Sequence, residues 1–236
     1  AALLAQAGIT GPRQPFEGEF GFYRVYAPAD EDVLFAQPGQ RFAAEGMTFK
    51  PYPSCGCTHT AIAAVAALMK AHSLQPADVE GAHVSVSAYS HALVGSAFAP
   101  GADPQVAAQF SVRYTVACAV LRGGFGLRDI EIDAILDPAA KALAARVECV
   151  ADPRNDSTRE CELTLRCTGG RAFTLRMADA PGSPALPMSE RARRDKIFEC
   201  MSRGVRPLRE SSIDAFVARV MAIENLPAVG DLFEGM

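Results

Sequence analysis

The residues best suited to chemistry lie together in one short segment of the sequence, residues 49–59. The segment reads Phe-Lys-Pro-Tyr-Pro-Ser-Cys-Gly-Cys-Thr-His and so combines a lysine, a tyrosine, two cysteines and a histidine. Pro51 and Pro53 fix their own φ angles and favour extended geometry in the residues before them, which predicts a rigid loop. Apolar residues at helical spacing follow, so the loop enters a helix N-terminus, where unpaired backbone N–H groups favour a bound anion. The segment therefore predicts anion binding with proton transfer.

Lys50 and His59 are the candidate catalytic residues of this segment. A lysine ammonium on a rigid loop would pair with a substrate carboxylate and stabilise negative charge that develops beside it. The alternative for Lys50 is an ordinary surface lysine. A histidine near neutral pH serves as a general acid or base, or else its ring caps the loop. Tyr52, Ser54 and Cys55 are candidate substrate-binding residues, with packing between the two prolines as the alternative for Tyr52.

The spacing Cys55-x-Cys57-x-His59 superficially resembles a metal site. It differs from the paired Cys-x-x-Cys pattern of structural zinc, and no second cluster completes four ligands, so no metal is expected. A helix N-terminus lowers the pKa of a thiol, which leaves a nucleophilic Cys55 as an alternative to simple packing. Six of the seven cysteines are predicted to be small buried hydrophobic residues.

Length and composition bound the class of protein. The chain has 236 residues, of which 49% are hydrophobic, which predicts one or two globular domains with a real core. A formal net charge of −4 argues against a general nucleic-acid binder. No uninterrupted run of about 20 apolar residues is present, so no membrane partner is expected. The first residues do not resemble a signal peptide, which predicts a cytoplasmic location and a chain that begins inside a larger protein.

Hydrophobic periodicity predicts an α+β fold with a small antiparallel-rich sheet. Residues 1–46 are predicted as a helix end and a stretch rich in Gly and Pro, with a short helix at 32–37. Beyond them, helices are predicted at 59–72, 106–121, 129–136, 138–145 and 189–200, and a last helix with Ser212 as N-cap. Strands are predicted at 82–89, around Val147 and Cys149, and as a hairpin of 161–167 with 171–178. Gln109, Ser111 and Tyr114 lie near the start of one helix, where an anion could be held, and are further candidate substrate-binding residues.

Several short motifs, in order along nearly the whole chain, resemble the MmgE/PrpD family of dehydratases, decarboxylases and epimerases. The quoted stretches are Ala-Gly-Ile-Thr-Gly-Pro at 7–12, Glu-Gly at 17–18 with Gly21, Lys-Pro-Tyr-Pro-Ser-Cys at 50–55, Thr-His at 58–59, Ala-Gln-Phe-Ser at 108–111 with Tyr114, Gly-Ser-Pro at 182–184 and Pro-Met-Ser at 187–189. Each stretch is weak by itself. Their shared order and spacing carry the resemblance.

The resemblance implies that the chain corresponds to the second half of such an enzyme. Residues 1–46 would be the tail of an all-helical domain, 47–205 an α+β lid domain, and 206–236 a return to the helical domain. It also implies a lyase or isomerase that abstracts a proton α to a carboxylate of a small di- or tricarboxylic acid, without metal or cofactor. Lys50 would line its active site. The implied partners are the missing helical half or a homo-oligomeric partner, as in a homodimer.

A second function remains open beside the enzyme. The chain is alternatively a non-catalytic fragment, or one subunit of a split enzyme that needs a helical partner. The sequence leaves undecided which acid is the substrate and whether dehydration, decarboxylation or epimerisation follows proton abstraction.

Overall fold

The computed structural model describes residues 1–26, 36–37, 39–40 and 42–235. The chain divides into two units, Ala1–Gly46 and Met47–Met236. The short helix predicted at 32–37 lies mostly outside the described residues. The assignment of 1–46, 47–205 and 206–236 to parts of two domains stays a prediction.

The first unit holds short helical pieces. Helix α1 spans Ala2–Gln6, α2 spans Phe22–Val25, and a single 3₁₀ turn covers Ala43–Gly46. Neither α-helix has a buried residue. These two helices therefore bury none of their own side chains.

A four-stranded sheet organises the second unit. Its strands are β1 (Val79–Val86), β2 (Val147–Ala151), β3 (Cys161–Cys167) and β4 (Ala172–Met177), in the spatial order β2-β1-β3-β4. β1 pairs with β2 in parallel, whereas the β1–β3 and β3–β4 pairs are antiparallel. The predicted α+β fold with a small antiparallel-rich sheet is confirmed. The parallel pair is possible because a long helical crossover joins β1 to β2.

Helices make up most of the remaining regular structure of the second unit. Their bounds are α3 His59–Ala71, α4 Ala88–Val94, α5 Pro104–Gln109, α6 Val112–Arg122, α7 Ile132–Leu136, α8 Pro138–Ala144, α9 Glu190–Ser202 and α10 Glu210–Met221. The predicted helix at 59–72, the helix that begins after Ser189 and the β3–β4 hairpin are confirmed. The hairpin turns at Thr168–Gly170, where Gly169 adopts a φ of +72° that favours glycine.

Several predicted boundaries are wrong, two of them because a serine side chain caps a helix. The helix expected over 106–121 is two helices, since Ser111 Oγ accepts a hydrogen bond from the Tyr114 N–H (3.2 Å) and starts α6 anew. The strand expected to reach residue 89 ends at Val86, because Ser87 caps α4 in the same way. The last helix begins at Glu210 with Arg209 at its N-cap, two residues before Ser212.

The core lies between the sheet and helices α3 and α6. Ile62 and Val65 of α3 and Leu163 and Leu165 of β3 are completely enclosed.

Five of the seven cysteines are buried, while Cys55 is half-buried and Cys200 is exposed, so the predicted number of six buried cysteines is one too many. Within the described residues, no helix combines the length and apolar character needed to cross a membrane.

Candidate functional site

A cavity of about 330 Å³ opens beside the first turn of α3. Lys50 and His59 both line it, together with Arg159 from the β2–β3 loop. Four of its other lining residues carry hydroxyl groups: Thr48, Tyr89, Thr158 and Ser183. No acidic side chain from the described part of the chain lines the cavity. Two cations and several hydrogen-bonding groups without a carboxylate favour a small anionic ligand.

The loop that carries Lys50 is closed by its own hydrogen bonds. Lys50 Nζ donates to the Ser54 carbonyl oxygen at 3.3 Å. The Ser54 and Thr58 hydroxyls are 2.8 Å apart, and Thr58 Oγ1 donates to the Cys55 carbonyl at 2.9 Å. Ser54 and Thr58 are buried, so these bonds are shielded from water. The rigid loop predicted from the prolines is therefore also held by buried hydroxyls, and Ser54 is one of them.

Two more contacts fix the start of this loop. The Phe49 N–H donates to the Gly182 carbonyl oxygen at 2.9 Å. Gly182 has a φ of +96°, and a Cβ at that position would collide with the Phe49 carbonyl. Lys196 of α9 donates from Nζ to the Lys50 carbonyl oxygen at 2.5 Å. The backbone at Phe49 and Lys50 is thus held from two directions, and Lys50 lines the cavity.

His59 is a buried, neutral imidazole. Its ring is 3% exposed, and Nε2 lies 3.3 Å from the Ser54 carbonyl, so Nε2 carries the proton and donates it. Burial, with a smaller contribution from the positive charges of Lys50 and Lys196, lowers the pKa of His59 to about 4. Tyr52 contacts the ring edge-on, with ring centroids 5.4 Å apart. His59 therefore caps the loop and lines the cavity at once, and its catalytic role stays a prediction.

The pKa of Cys55 is lowered, whereas burial or hydrogen bonding raises the pKa of Cys57, Cys118, Cys149, Cys161 and Cys167. A hydrogen bond from the Cys57 thiol, the Cys57 backbone N–H and the charge of Lys50 together lower the pKa of Cys55 to about 6 against the effect of burial. The same pairing raises the pKa of the buried Cys57 thiol. The lowered pKa favours the thiolate form of the half-buried Cys55, whose charge Lys50 helps to stabilise.

Alkylation should locate this thiolate directly. Because the thiolate is the nucleophile, iodoacetamide should modify Cys55 at a rate that rises with pH through about 6 and then levels off. Peptide mass spectrometry of a Cys200→Ser variant, which lacks the exposed cysteine, would measure the rate. Cys55→Ser in the same background is the control. A rate that keeps rising above pH 8 would contradict the lowered pKa.

The remaining predicted substrate-binding residues support the loop and the core. Gln109 Nε2 donates to the Pro53 carbonyl at 3.0 Å, and the Gln109 carbonyl accepts from the Cys55 N–H at 2.9 Å. Tyr114 is fully enclosed, and its hydroxyl lies 2.8 Å from the Asp129 carbonyl and 3.0 Å from that of Ala134. Ser111 caps α6. Contact of Gln109, Ser111 and Tyr114 with a substrate stays a prediction.

Sequence reasoning missed Arg159 and Lys196. Arg159 comes from the β2–β3 loop and Lys196 from α9, and each meets the 49–59 loop only through the tertiary fold. Neither has a local motif that marks it. Ser183 belongs to the Gly-Ser-Pro stretch that carried the resemblance, so a signal for that cavity residue was present.

The spacing of Cys55, Cys57 and His59 in the sequence raises the question of a metal site. Across residues 1–26, 36–37, 39–40 and 42–235, no cluster of three or more His, Cys, Asp or Glu side chains could hold a metal ion. Cys55, Cys57 and His59 therefore do not form such a cluster despite their spacing.

Comparison with known proteins places these residues in a wider context. A family model described as the MmgE/PrpD C-terminal domain matches residues 52–220. Cis-aconitate decarboxylase of Mus musculus is 24% identical over 237 residues, which cover 96% of this chain and 47% of the mouse protein. The chain thus spans about half the length of the curated relative it matches. His59 and Arg159 lie inside the matched family region, and Lys50 lies two residues before it.

Proposed function

The chain belongs to the MmgE/PrpD family, and from that premise we propose that it acts on a small di- or tricarboxylic acid as a lyase or isomerase. The observation that carries this proposal is the cavity lined by Lys50 and Arg159, with no acidic side chain among its described lining residues. A di- or tricarboxylate complements such a site in charge. The common step would be removal of a proton α to a carboxylate, without a metal, as the family resemblance implies.

Lys50 would stabilise the charge that this step creates. Proton removal places negative charge on the adjacent carboxylate, and a fixed ammonium beside it lowers the barrier. The Lys50 backbone is held by Lys196, and its Nζ already contacts the Ser54 carbonyl, so little reorganisation is needed. A site arranged before the reaction is worth more than one that must assemble during it.

His59 would carry the proton. At neutral pH its imidazole is unprotonated, because its pKa is lowered to about 4, and it has one ring nitrogen free of hydrogen. A base of this pKa holds a proton only briefly, and the nearby lysines favour its release. A substrate carboxylate bound beside the ring would raise this pKa toward the operating pH, where a proton carrier is most efficient.

The outcome after proton removal would be loss of water, return of the proton to the other face, or return of the proton at another carbon followed by loss of CO₂ and uptake of a proton from water. The name of the mouse relative, cis-aconitate decarboxylase, supports a lyase of a tricarboxylic acid among these possibilities. The chain covers 47% of that relative, so the activity of the whole relative is part of this proposal. We propose that a helical partner or a second copy completes the site.

Hydrogen exchange in heavy water tests the proposed step. The chain, incubated in D₂O with cis-aconitate and with saturated di- and tricarboxylic acids, should cause a time-dependent loss of the α-C–H signal or a new product signal in proton NMR. The non-catalytic alternative predicts broadened ligand signals with unchanged intensities. Unchanged spectra for every acid, with and without the helical half supplied, would contradict the enzyme.

A further inference from the structure

Arg159 lines the same cavity as Lys50, and its backbone is anchored by buried hydroxyl groups from two helices. Thr60 of α3 donates from Oγ1 to the Arg159 carbonyl at 2.6 Å, across 99 residues of sequence. Ser90 of α4 donates from Oγ to the preceding Thr158 carbonyl at 3.3 Å. Both hydroxyls are 1% exposed. A buried hydroxyl with its bond satisfied holds its partner firmly, so the Arg159 backbone is fixed beside the first turns of α3 and α4.

The loop around Arg159 adds its own restraints. Ser157 Oγ accepts hydrogen bonds from the N–H groups of Arg159 and Glu160, both at 3.1 Å. Asn155 accepts from the Ser157 N–H at 2.9 Å and donates to the Glu160 carbonyl at 3.1 Å. The backbone that presents Arg159 is therefore closed by bonds on either side of the residue.

The Arg159 side chain, in contrast, is loosely held. It is 52% exposed, and its Nη1 lies 3.8 Å from Asp179 Oδ1, beyond hydrogen-bonding distance. An exposed ion pair of this kind contributes little to stability. The planar guanidinium fork, which matches a carboxylate with two parallel hydrogen bonds, is left available at the cavity.

We propose that Arg159 binds a second carboxylate of the ligand and determines specificity for dicarboxylates over monocarboxylates. This inference rests on the proposed function in one respect, since it assigns the first carboxylate to Lys50. Lys50 offers a point charge and Arg159 a directional fork, so together they would recognise two carboxylates of one ligand in the cavity that both residues line. A cavity of about 330 Å³ is of the size that accommodates such a ligand.

Asp179 provides a second test, in which removing a side-chain charge should tighten diacid binding and not weaken it. Its carboxylate competes with the ligand for the Arg159 guanidinium at 3.8 Å. Removing that negative charge should leave Arg159 free and tighten the binding of a diacid. A purely structural role for Arg159 predicts no such gain.

Calorimetric titration with two probes of equal chain length tests the proposal. Succinate and butyrate have the same chain length but differ in one carboxylate. The wild-type chain should bind succinate the more tightly, and Arg159→Met should weaken succinate binding about 10-fold or more, as expected for loss of a charge-assisted hydrogen bond. Butyrate binding should be unchanged. Asp179→Asn should tighten succinate binding.

Arg171→Met is a matched control. Arg171 is also 52% exposed and lies 3.9 Å from a carboxylate, that of Asp78, which is as exposed as Asp179, but it does not line the cavity. Equal succinate binding by the Arg159 and Arg171 variants would overturn the proposal, as would a wild-type chain without preference for succinate. If Arg159→Met does not fold, Arg159→Lys and Asp179→Asn carry the test. The titration measures binding and not turnover, so failure of the proposed reaction leaves its outcome readable.

Discussion

Replacing Lys50 by alanine is expected to reduce turnover by about 100-fold or more while the fold stays intact. The loss follows because the ammonium that would stabilise the developing negative charge disappears, an effect of this size for a single stabilising group. The assay is the rate of α-C–H exchange in D₂O. Lys70→Ala is the matched control. Lys70 is exposed in the last turn of α3, so its replacement should leave the rate unchanged.

The same substitution has a second readout at His59. The charge of Lys50 contributes to the lowered pKa of His59, so removing it should raise that pKa from about 4 toward its ordinary value, with burial still holding it down. A titration of the imidazole by NMR would detect the change independently of catalysis. Near-normal turnover in Lys50→Ala would remove Lys50 from the mechanism, even if the His59 pKa rose as expected.

Replacing Leu163 by alanine should lower the free energy of unfolding by about 2–5 kcal/mol, the range for a fully buried leucine that leaves a cavity. Leu163 is completely enclosed in β3, opposite Val84 of β1 and Leu175 of β4. Urea denaturation followed by circular dichroism would measure the change. Glu162→Ala, one residue earlier and facing solvent, should change the free energy by less than about 0.5 kcal/mol. Similar losses in both variants would show that this face of the sheet is not the core.

The Thr-Gly-Gly turn at 168–170 made β3 and β4 predictable, because a hairpin leaves that local signal in the sequence. The break between α5 and α6 was not predictable by periodicity, since apolar spacing continues across it. It becomes visible only through the Ser111 cap and the tertiary bond between Gln109 and Cys55.

The candidate site likewise has a part that local sequence predicts and a part that only long-range contacts form. Lys50 and His59 share one short loop, so composition alone could bring them together. Lys196 reaches the loop from 146 residues away, and Arg159 is anchored to α3 across 99 residues. No local sequence pattern predicts contacts between residues so far apart in the sequence. The local wall of the cavity was therefore predictable, and the second cation was not.

The interruption between α5 and α6 has a consequence for protein engineering. In a continuous helix the Gln109 carbonyl would accept the N–H four residues ahead, at Arg113, and would be occupied. Because the helix stops, that carbonyl receives the Cys55 N–H instead, while the Gln109 amide contacts Pro53. Transplanting residues 49–59 into another scaffold would leave the Cys55 N–H without its acceptor. The transferable unit is the loop together with a helix that ends where α5 does.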